Sequence, residues 1–269
     1  MTAPVFLADS LESVTAGAVL TLDGDEARHA ARVRRVQPGE RIDVVDGQGR
    51  RAMTTITSVS GSGRATIDCE VVDVVTEPAP TRRIIVIQAL AKGERSERAV
   101  ETLTEVGVDV IVPWAAERSV TVWSPPRAER GVQRWRATAR EAMKQSRRAW
   151  QPIVADLADL TEVRRWVEEA GSAFLLDVEG DPLPMILDED SGRHDRKDGD
   201  WVVIVGPEGG VTDAETAALL AAGARRTSLG PTILRTSTAG TVATAVIAAG
   251  HRWSASPARS GGSVTGSCP

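Results

Sequence analysis

The sequence predicts an α/β protein in two units, a small β module followed by a larger domain built on a largely parallel sheet. Three observations carry this reading. Beyond residue 81, short β-branched apolar runs alternate with stretches of helical period, the pattern of strand–helix–strand units. Before residue 76 the apolar runs are short or alternating and are separated by glycine-bearing turns. Between the two, Glu77-Pro78-Ala79-Pro80 carries prolines two residues apart and favours an extended connection. The expected boundaries are 1–76 for the first unit and 81–253 for the second. Residues 254–269, rich in Ser, Gly and Pro, read as a disordered tail.

In the first unit, Val19 to Leu22, Ile42 to Val45, Thr54 to Val59 and Ala65 to Val75 read as strands. Turns at Gly47, Gly49, Gly61 and Gly63 divide them, which suits a compact barrel-like module. Asp25 to Val36 reads as one short helix. Its Arg28, Arg32, Arg34 and Arg35 make it basic, and a solvated face and a phosphate contact explain them equally well.

In the second unit, Ile84 to Leu90, Val108 to Val112 and Ala173 to Asp177 read as strands, and Glu94 to Val106, Arg127 to Trp150 and Leu160 to Ala170 as helices. Ala99, Leu103 and Val106 share one face of the first helix. The stretch from Arg127 to Arg148 holds eight Arg or Lys residues against Glu129 and Glu141. On a helical wheel Val132, Trp135, Ala139, Ala142 and Met143 form a buried stripe, and the basic residues fall opposite. A solvated helix usually mixes signs, so a polyanion is the favoured partner of this face. Asp188 to Asp200 is charged, turn-rich and without period, and reads as an exposed loop.

The stretch from Trp201 to Gly250 holds the strongest functional signal. Trp201-Val202-Val203-Ile204-Val205 is a β-branched run of the kind buried in parallel sheets. It breaks at Gly206-Pro207-Glu208-Gly209-Gly210, after which Thr212-Asp213-Ala214-Glu215 fits a helix capping box. Paired glycines clear side chains from the turn, so backbone amides can approach a ligand. The logic repeats with Arg225 to Leu229 as a short strand, Gly230 to Arg235 as a loop, and a helix from about Thr236 or Ser237 to Gly250. Ala239, Gly240, Ala243, Ala245, Ala248 and Ala249 leave that helix so little bulk that another element can pack very close to it, a second copy of the chain included. Arg235 stands at its N-terminus, where the macrodipole disfavours a cation, so an anionic partner is expected. Either loop alone also fits a plain tight turn; two on successive units point to a common ligand floor.

Several classes are excluded. The first loop lacks the Gly-Lys-Ser/Thr ending of a phosphate-binding P-loop. It is not Gly-x-Gly-x-x-Gly either, and Arg225-Arg226-Thr227-Ser228 occupies the place where a dinucleotide site needs an acidic residue. Cys69 and Cys268 alone imply no disulfide framework and suit a reducing cytoplasm. His29, His194 and His251 are far apart and match no zinc spacing, so no metal is expected. No apolar run approaches the length of a membrane span. The net charge of -5 alone argues against a nucleic-acid partner, but the clustered arginines matter more than the sum.

Gly206-Pro207-Glu208-Gly209-Gly210 with Glu215, and Leu229-Gly230-Pro231-Thr232-Ile233-Leu234-Arg235-Thr236 with Thr238-Ala239, resemble the signature loops of the ribosomal RNA small subunit methyltransferase E family, within the SPOUT superfamily. Earlier segments agree in order: His29, Val33 and Arg35; Lys92; Thr104-Glu105 and Gly107-Val108; Pro113; Glu117-Arg118-Ser119; Arg134-Trp135; Glu141-Ala142; Gln145-Ser146; Arg148 and Pro152. The sequence departs from the family pattern at Arg34, Thr102, Val106 and Ser237, where leucine, lysine, leucine and glutamate are common.

The resemblance implies a PUA-like N-terminal barrel, a C-terminal α/β domain with a deep trefoil knot, and a homodimer. It also implies S-adenosylmethionine held by Leu176, Asp177 and Glu179, by Gly206, Pro207, Glu208, Gly209 and Gly210, and by Leu229, Gly230, Ile233, Leu234 and Arg235. The expected reaction is methylation of N3 of a uridine in 16S rRNA of the assembled small subunit. Arg235 and Glu208 are the candidate catalytic residues. Arg235 would orient the uracil or stabilise its developing anion; Glu208 would assist proton removal or anchor its loop, with anchoring favoured. RNA contact is expected from His29, Arg32, Arg35, Lys92, Arg118, Arg134, Arg140 and Arg148. Two other readings compete. A tRNA ribose methyltransferase of the same superfamily would usually carry Ser-Leu-Asn where this chain has Ile233-Leu234-Arg235-Thr236. A non-catalytic RNA-binding assembly factor would differ only in lacking turnover.

Overall fold

The computed structural model describes residues 3–60, 65–191 and 199–253, without the side chains of 189–191. The turn at Gly61 and Gly63, the middle of the loop expected at 188–200 and the 254–269 tail lie outside the described residues.

The first unit is a five-stranded sheet of β1 (Val5–Leu7), β2 (Val19–Leu22), β3 (Arg41–Val45), β4 (Arg50–Ser60) and β5 (Thr66–Thr76), in the order β1-β3-β4-β5-β2. β1 runs parallel to β3 and the other pairs are antiparallel. Irregularities between Met53 and Thr54 and between Ile56 and Ser58 bend the β4–β5 pair. The sheet curls around Phe6, Leu11, Ile42, Val44, Ile56 and Ile67 but does not close, since β1 and β2 remain its edges. β1 was not expected, because three residues show no period. The expected helix at 25–36 is α1 (Gly24–His29) continued by a π-helical turn, Ala30–Arg34. Arg35 then ends it in the left-handed region at φ 53. The wider turn keeps Ala30 and Val36 in the core while Arg32, Arg34 and Arg35 stay exposed.

The second unit contains β6 (Ile84–Ala89), α2 (Arg95–Val106), β7 (Val110–Trp114), α3 (Pro125–Gln145), β8 (Ile153–Val154), α4 (Leu160–Glu169), β9 (Ser172–Pro182), α5 (Leu183–Ser191), β10 (Trp201–Val205), α6 (Asp213–Ala221), β11 (Arg225–Ser228) and α7 (Thr236–His251). Its six strands are parallel in the order β11-β9-β10-β6-β7-β8. β6 and β10 are apolar almost throughout because successive side chains serve two cores. Ile84, Val86, Val203 and Val205 join the core under α2, α3, α5 and α7, while Ile85, Ile87, Val202 and Ile204 join the one under α4 and α6.

Two helices correct the sequence reading. α3 begins at Pro125, since proline fits the first turn where its missing N–H has no partner, and stops at Gln145, two residues before Arg147 turns left-handed at φ 58. The predicted stripe, Val132, Trp135, Ala139, Ala142 and Met143, is buried. α5 occupies the first part of the expected 188–200 loop, because Leu183, Ile186 and Leu187 just before the charged stretch enter the core.

The small face of α7 packs within the chain. A Cβ on Gly240 would lie 3.2 Å from Val205 Cγ2 and Val86 Cγ1 and 3.3 Å from Leu103 Cδ2, so the helix settles directly onto β10, β6 and α2. Buried Ala239, Ala243 and Ala248 therefore serve the internal core and give no argument for a dimer. Thr102, where the family pattern favours lysine, shares a 2.8 Å hydroxyl contact with Thr241 across the α2–α7 seam. The two units meet at the end of α3. Val5, Val45, Met143 and Ala149 form a shared apolar cluster, and Lys144 donates to Glu26 Oε1 at 2.7 Å.

Candidate active site

The C-terminal ends of β9, β10 and β11 open into a cavity of about 390 Å³. Ligands bind parallel α/β sheets at this edge, where diverging strand ends leave a crevice. Three segments line it. The first leaves the sheet itself: Leu175 pairs with Arg226 and Asp181 with the next residue, Thr227, so Leu176 to Gly180 bulge out of the β9–β11 ladder. Gly180 closes the bulge where a Cβ would overlap the backbone of Arg226 and Thr227. The second segment is the loop after β10, which presents Gly206, Pro207, Gly210 and Val211. The third is the loop before α7, with Leu229, Gly230, Thr232, Ile233 and Leu234, followed by Thr236 and Ala239 on the helix.

Most of the residues expected around a cofactor are thus brought together: Leu176, Asp177, Glu179, Gly206, Pro207, Gly210, Leu229, Gly230, Ile233 and Leu234 line one cavity. Glu208, Gly209 and Arg235 are not among its lining residues. The Glu208 carboxylate accepts from the backbone N–H of Lys92 at 3.3 Å and lies 3.4 Å from Arg95 Nη1, so it ties its loop to the β6–α2 connection. Gly209 backs onto the β7–α3 loop, where a Cβ would stand 3.0 Å from the carbonyl oxygen of Arg118. Arg235 is the N-cap residue of α7 and is exposed. The anion expected beside it is absent among the described residues.

Sequence reasoning missed Gly180, Arg226 and Asp213. Arg226 lines the cavity with its guanidinium held 3.4 Å from Asp177 and 3.3 Å from Glu179. Its signal in the sequence was no more than its place in a short strand. With Asp177, Glu179 and Asp213 against Arg226, carboxylates outnumber cations in the lining, which favours a ligand with positive charge.

The residues expected to touch RNA divide differently. Arg32 and Arg35 are exposed on the first unit, and His29 is half-buried with its ring 6.4 Å from that of Phe6. Lys92 and Arg118 are exposed on the two loops that brace the Gly206–Gly210 turn. Arg140 is exposed on α3, as is Arg134, which pairs loosely with Glu97 at 3.3 Å. Arg148 is a correction. The helix ends before it, and its guanidinium turns inward, donating to the Thr104 carbonyl at 2.8 Å beside Asp109 at 4.0 Å. Burial holds its pKa below the usual arginine value, with Asp109 opposing and Arg252 adding to the shift. It fastens α3 to α2. A second cavity, of about 960 Å³, separates the curled sheet from the end of α3, with Arg34, Arg41 and Arg147 on its walls.

Among the described residues there is no cluster of metal-ligating side chains and no helix long and apolar enough to cross a membrane. Residues 77–248 match the RNA methyltransferase domain model and residues 22–68 the RNA methyltransferase PUA domain model. The chain is 40% identical over 259 residues to ribosomal RNA small subunit methyltransferase E of Mycobacterium bovis, covering 95% of each chain. It is 27% identical over 236 residues to the Bacillus subtilis protein of the same name, covering 87% of this chain and 91% of that one. The fold superposes on the crystal structure of a ribosomal RNA small subunit methyltransferase E from Neisseria gonorrhoeae bound to S-adenosyl methionine, with TM-score 0.75 and 26% identity over 92% of this chain and 98% of that one. With its curled PUA-like sheet, its parallel α/β domain and three loops converging at one strand edge, the chain belongs to the ribosomal RNA small subunit methyltransferase E family.

Proposed function

We propose that the chain transfers a methyl group from S-adenosylmethionine to N3 of a uridine in 16S rRNA of the assembled small subunit. The convergence of the Leu176–Gly180 bulge, the Gly206–Gly210 turn and the Leu229–Leu234 loop on one acid-lined cavity supports this reading. A cavity of about 390 Å³ falls in the range of small-molecule sites, and its excess of carboxylates suits a cationic ligand. The bound cofactor supplies an electrophilic methyl group on a sulfonium, so the chemistry needs alignment more than acid or metal catalysis.

The chain's own groups divide the work. Backbone at Gly206, Pro207, Gly210 and Gly230 shapes the floor, and Leu176, Leu229 and Leu234 provide apolar walls that exclude water. Arg235 extends from the start of α7 beside this floor and meets the uracil, stabilising the negative charge that builds as N3 loses its proton. Glu208 keeps its loop in place from behind. The basic residues exposed on both units grip phosphate, and the target base leaves its stack to reach the cavity.

The working form is a homodimer, with the apolar side chains of Val178 and Ile233 on the cavity rim, 66% and 85% exposed, covered by the second copy. The chain after β10 carries the deep knot of its superfamily, and the protein works in the cytoplasm. Small subunits from cells lacking the modification, incubated with the protein and labelled cofactor, should gain one N3-methyluridine per 16S rRNA by nucleoside mass spectrometry. Label in ribose, or none, overturns the assignment; light scattering reads the dimer.

A further inference from the structure

Among the described residues there are two capping boxes, and they are not alike. At α4, Asp159 Oδ1 accepts from the backbone N–H of Glu162 at 2.9 Å, and Glu162 Oε2 accepts from that of Asp159 at 2.9 Å. Both side chains are exposed, as local capping requires nothing more. At α6 the same pattern joins Thr212 and Glu215, with bonds of 3.2 Å and 2.9 Å, yet Glu215 is only 4% exposed. Burying a carboxylate is costly unless donors surround it. Glu215 has two more: the Thr212 hydroxyl donates to Oε2 at 3.0 Å, and the backbone N–H of Glu117 donates to Oε1 at 2.8 Å.

Glu117 lies on the β7–α3 loop, 98 residues away in sequence. Its neighbour Arg118 presses its carbonyl against Gly209, where even a Cβ would be too close at 3.0 Å. The β7–α3 loop is therefore held at two adjacent residues: Glu117, by a partly buried charged hydrogen bond to Glu215 on α6, and Arg118, by a close backbone contact with Gly209 in the turn. Arg118 leaves this junction exposed to solvent, behind the turn whose other face lines the cavity. α4 shows that a glutamate can cap without burial, so the burial of Glu215 serves the junction.

We propose that Glu215 is a positioning residue: it locks the β7–α3 loop to the Gly206–Gly210 turn and thereby sets Arg118 at a fixed place relative to the methyl-transfer cavity. Arg118 would grip an RNA phosphate there, and Glu215 links that grip to turnover. This rests on the RNA methyltransferase reading above.

The test uses the full chain as parent, Glu215→Gln, Glu162→Gln, Arg118→Ala, and each glutamate variant combined with Arg118→Ala. Cofactor Kd, kcat and KM on unmodified small subunits, and the thermal midpoint are measured for each. Glu215→Gln should lower kcat/KM by about 10- to 100-fold, the range of a charged hydrogen bond, while its cofactor Kd stays close to the parent's. The Arg118→Ala loss should largely vanish in the Glu215→Gln background and remain in full in the Glu162→Gln background. Additive losses, or a Glu215→Gln variant that shifts only its midpoint as Glu162→Gln does, overturn the proposal. If Glu215→Gln does not fold, Gly209→Ala loosens the same junction from its other side and should itself abolish the Arg118 dependence; a full Arg118 penalty in that background also overturns it. A parent that binds cofactor but methylates no RNA would instead refute the functional reading.

Discussion

Glu208 and Lys92 are joined by a hydrogen bond from the lysine's backbone N–H to the glutamate's Oε1, 3.3 Å long, on the side of the turn away from the cavity. We infer that a carboxylate so placed anchors its loop rather than serving as a base for the substrate. Glu208→Gln should therefore lower methyl transfer by less than about tenfold, the scale of one ordinary hydrogen bond, and leave the pH–rate profile in place. A profile that loses its lower limb would restore Glu208 as the base.

Arg235→Ala should behave differently. Among the described residues the side chain holds no part of the fold, so stability and RNA affinity should stay near the parent's while kcat falls by about 100-fold, the scale of removing one donor to a developing oxyanion. Single-turnover rates against filter-binding affinities separate the two. An equal loss in both would place Arg235 on the RNA backbone.

Gly180→Ala puts a methyl group into the backbone of Thr227. Either β9 or β11 must shift, at about 1 to 3 kcal/mol, and the Leu176–Gly180 bulge shifts with it. Cofactor binding by calorimetry should be lost or greatly weakened in a chain that still folds. Gly209→Val should also weaken binding, because a side chain pressed against Arg118 displaces the Gly206–Gly210 turn that lines the cavity.

Charge reversal should sort the arginines. Arg32→Glu, Arg35→Glu, Arg134→Glu and Arg140→Glu, all exposed, should weaken RNA binding, and for every phosphate no longer neutralised the slope of log affinity against log salt should fall by about 0.7 to 0.9. Arg148→Glu should instead destabilise the chain, because it removes the guanidinium's hydrogen bond to the Thr104 carbonyl and sets a second partly buried carboxylate beside Asp109. Thermal unfolding and salt titrations together decide it.

Lys144 links the two units, and its pKa responds. Burial works to lower it, but the hydrogen bonds and charges of Glu141 and Glu26 outweigh burial and raise it above 10.5. A pKa raised by folding contributes stability that is fully present below the unfolded value and lost as pH rises through the folded one. Urea unfolding should show that contribution disappearing above about pH 10.5 in the parent and missing at all pH values in Lys144→Gln. An unchanged alkaline limb in the variant would exclude Lys144 as its source.

What the sequence disclosed was local. Ile84 to Leu90 and Trp201 to Val205 announce themselves because strands buried on both faces need uninterrupted apolar side chains. The Thr212–Glu215 box was legible for the same reason, being set within four residues. The bulge at Leu176 to Gly180 was not, since it exists only through the register of β11, some 50 residues later. Arg148 was misplaced because a helical wheel assumes the helix continues, and this one ends at Gln145. The small face of α7 is a close-packing surface, as its composition says, but it is no evidence for a partner copy, because small residues report how near a neighbour comes and not which neighbour it is.

The bulge in β9 also limits how this family of sites can change by insertion or deletion. Arg226 and Thr227 are consecutive on β11, yet their partners Leu175 and Asp181 enclose five residues that belong to no rung. Pairing resumes on the far side only if Asp181 and Pro182 arrive facing the way they do now. Because side chains alternate along a strand, losing one bulge residue would force the bulge to redistribute or turn the rest of β9 over. The site is thus free to exchange letters and constrained in counting them: Leu176, Asp177, Val178 and Glu179 can be rewritten for another ligand, but the length of that phrase is held by its pairing with β11.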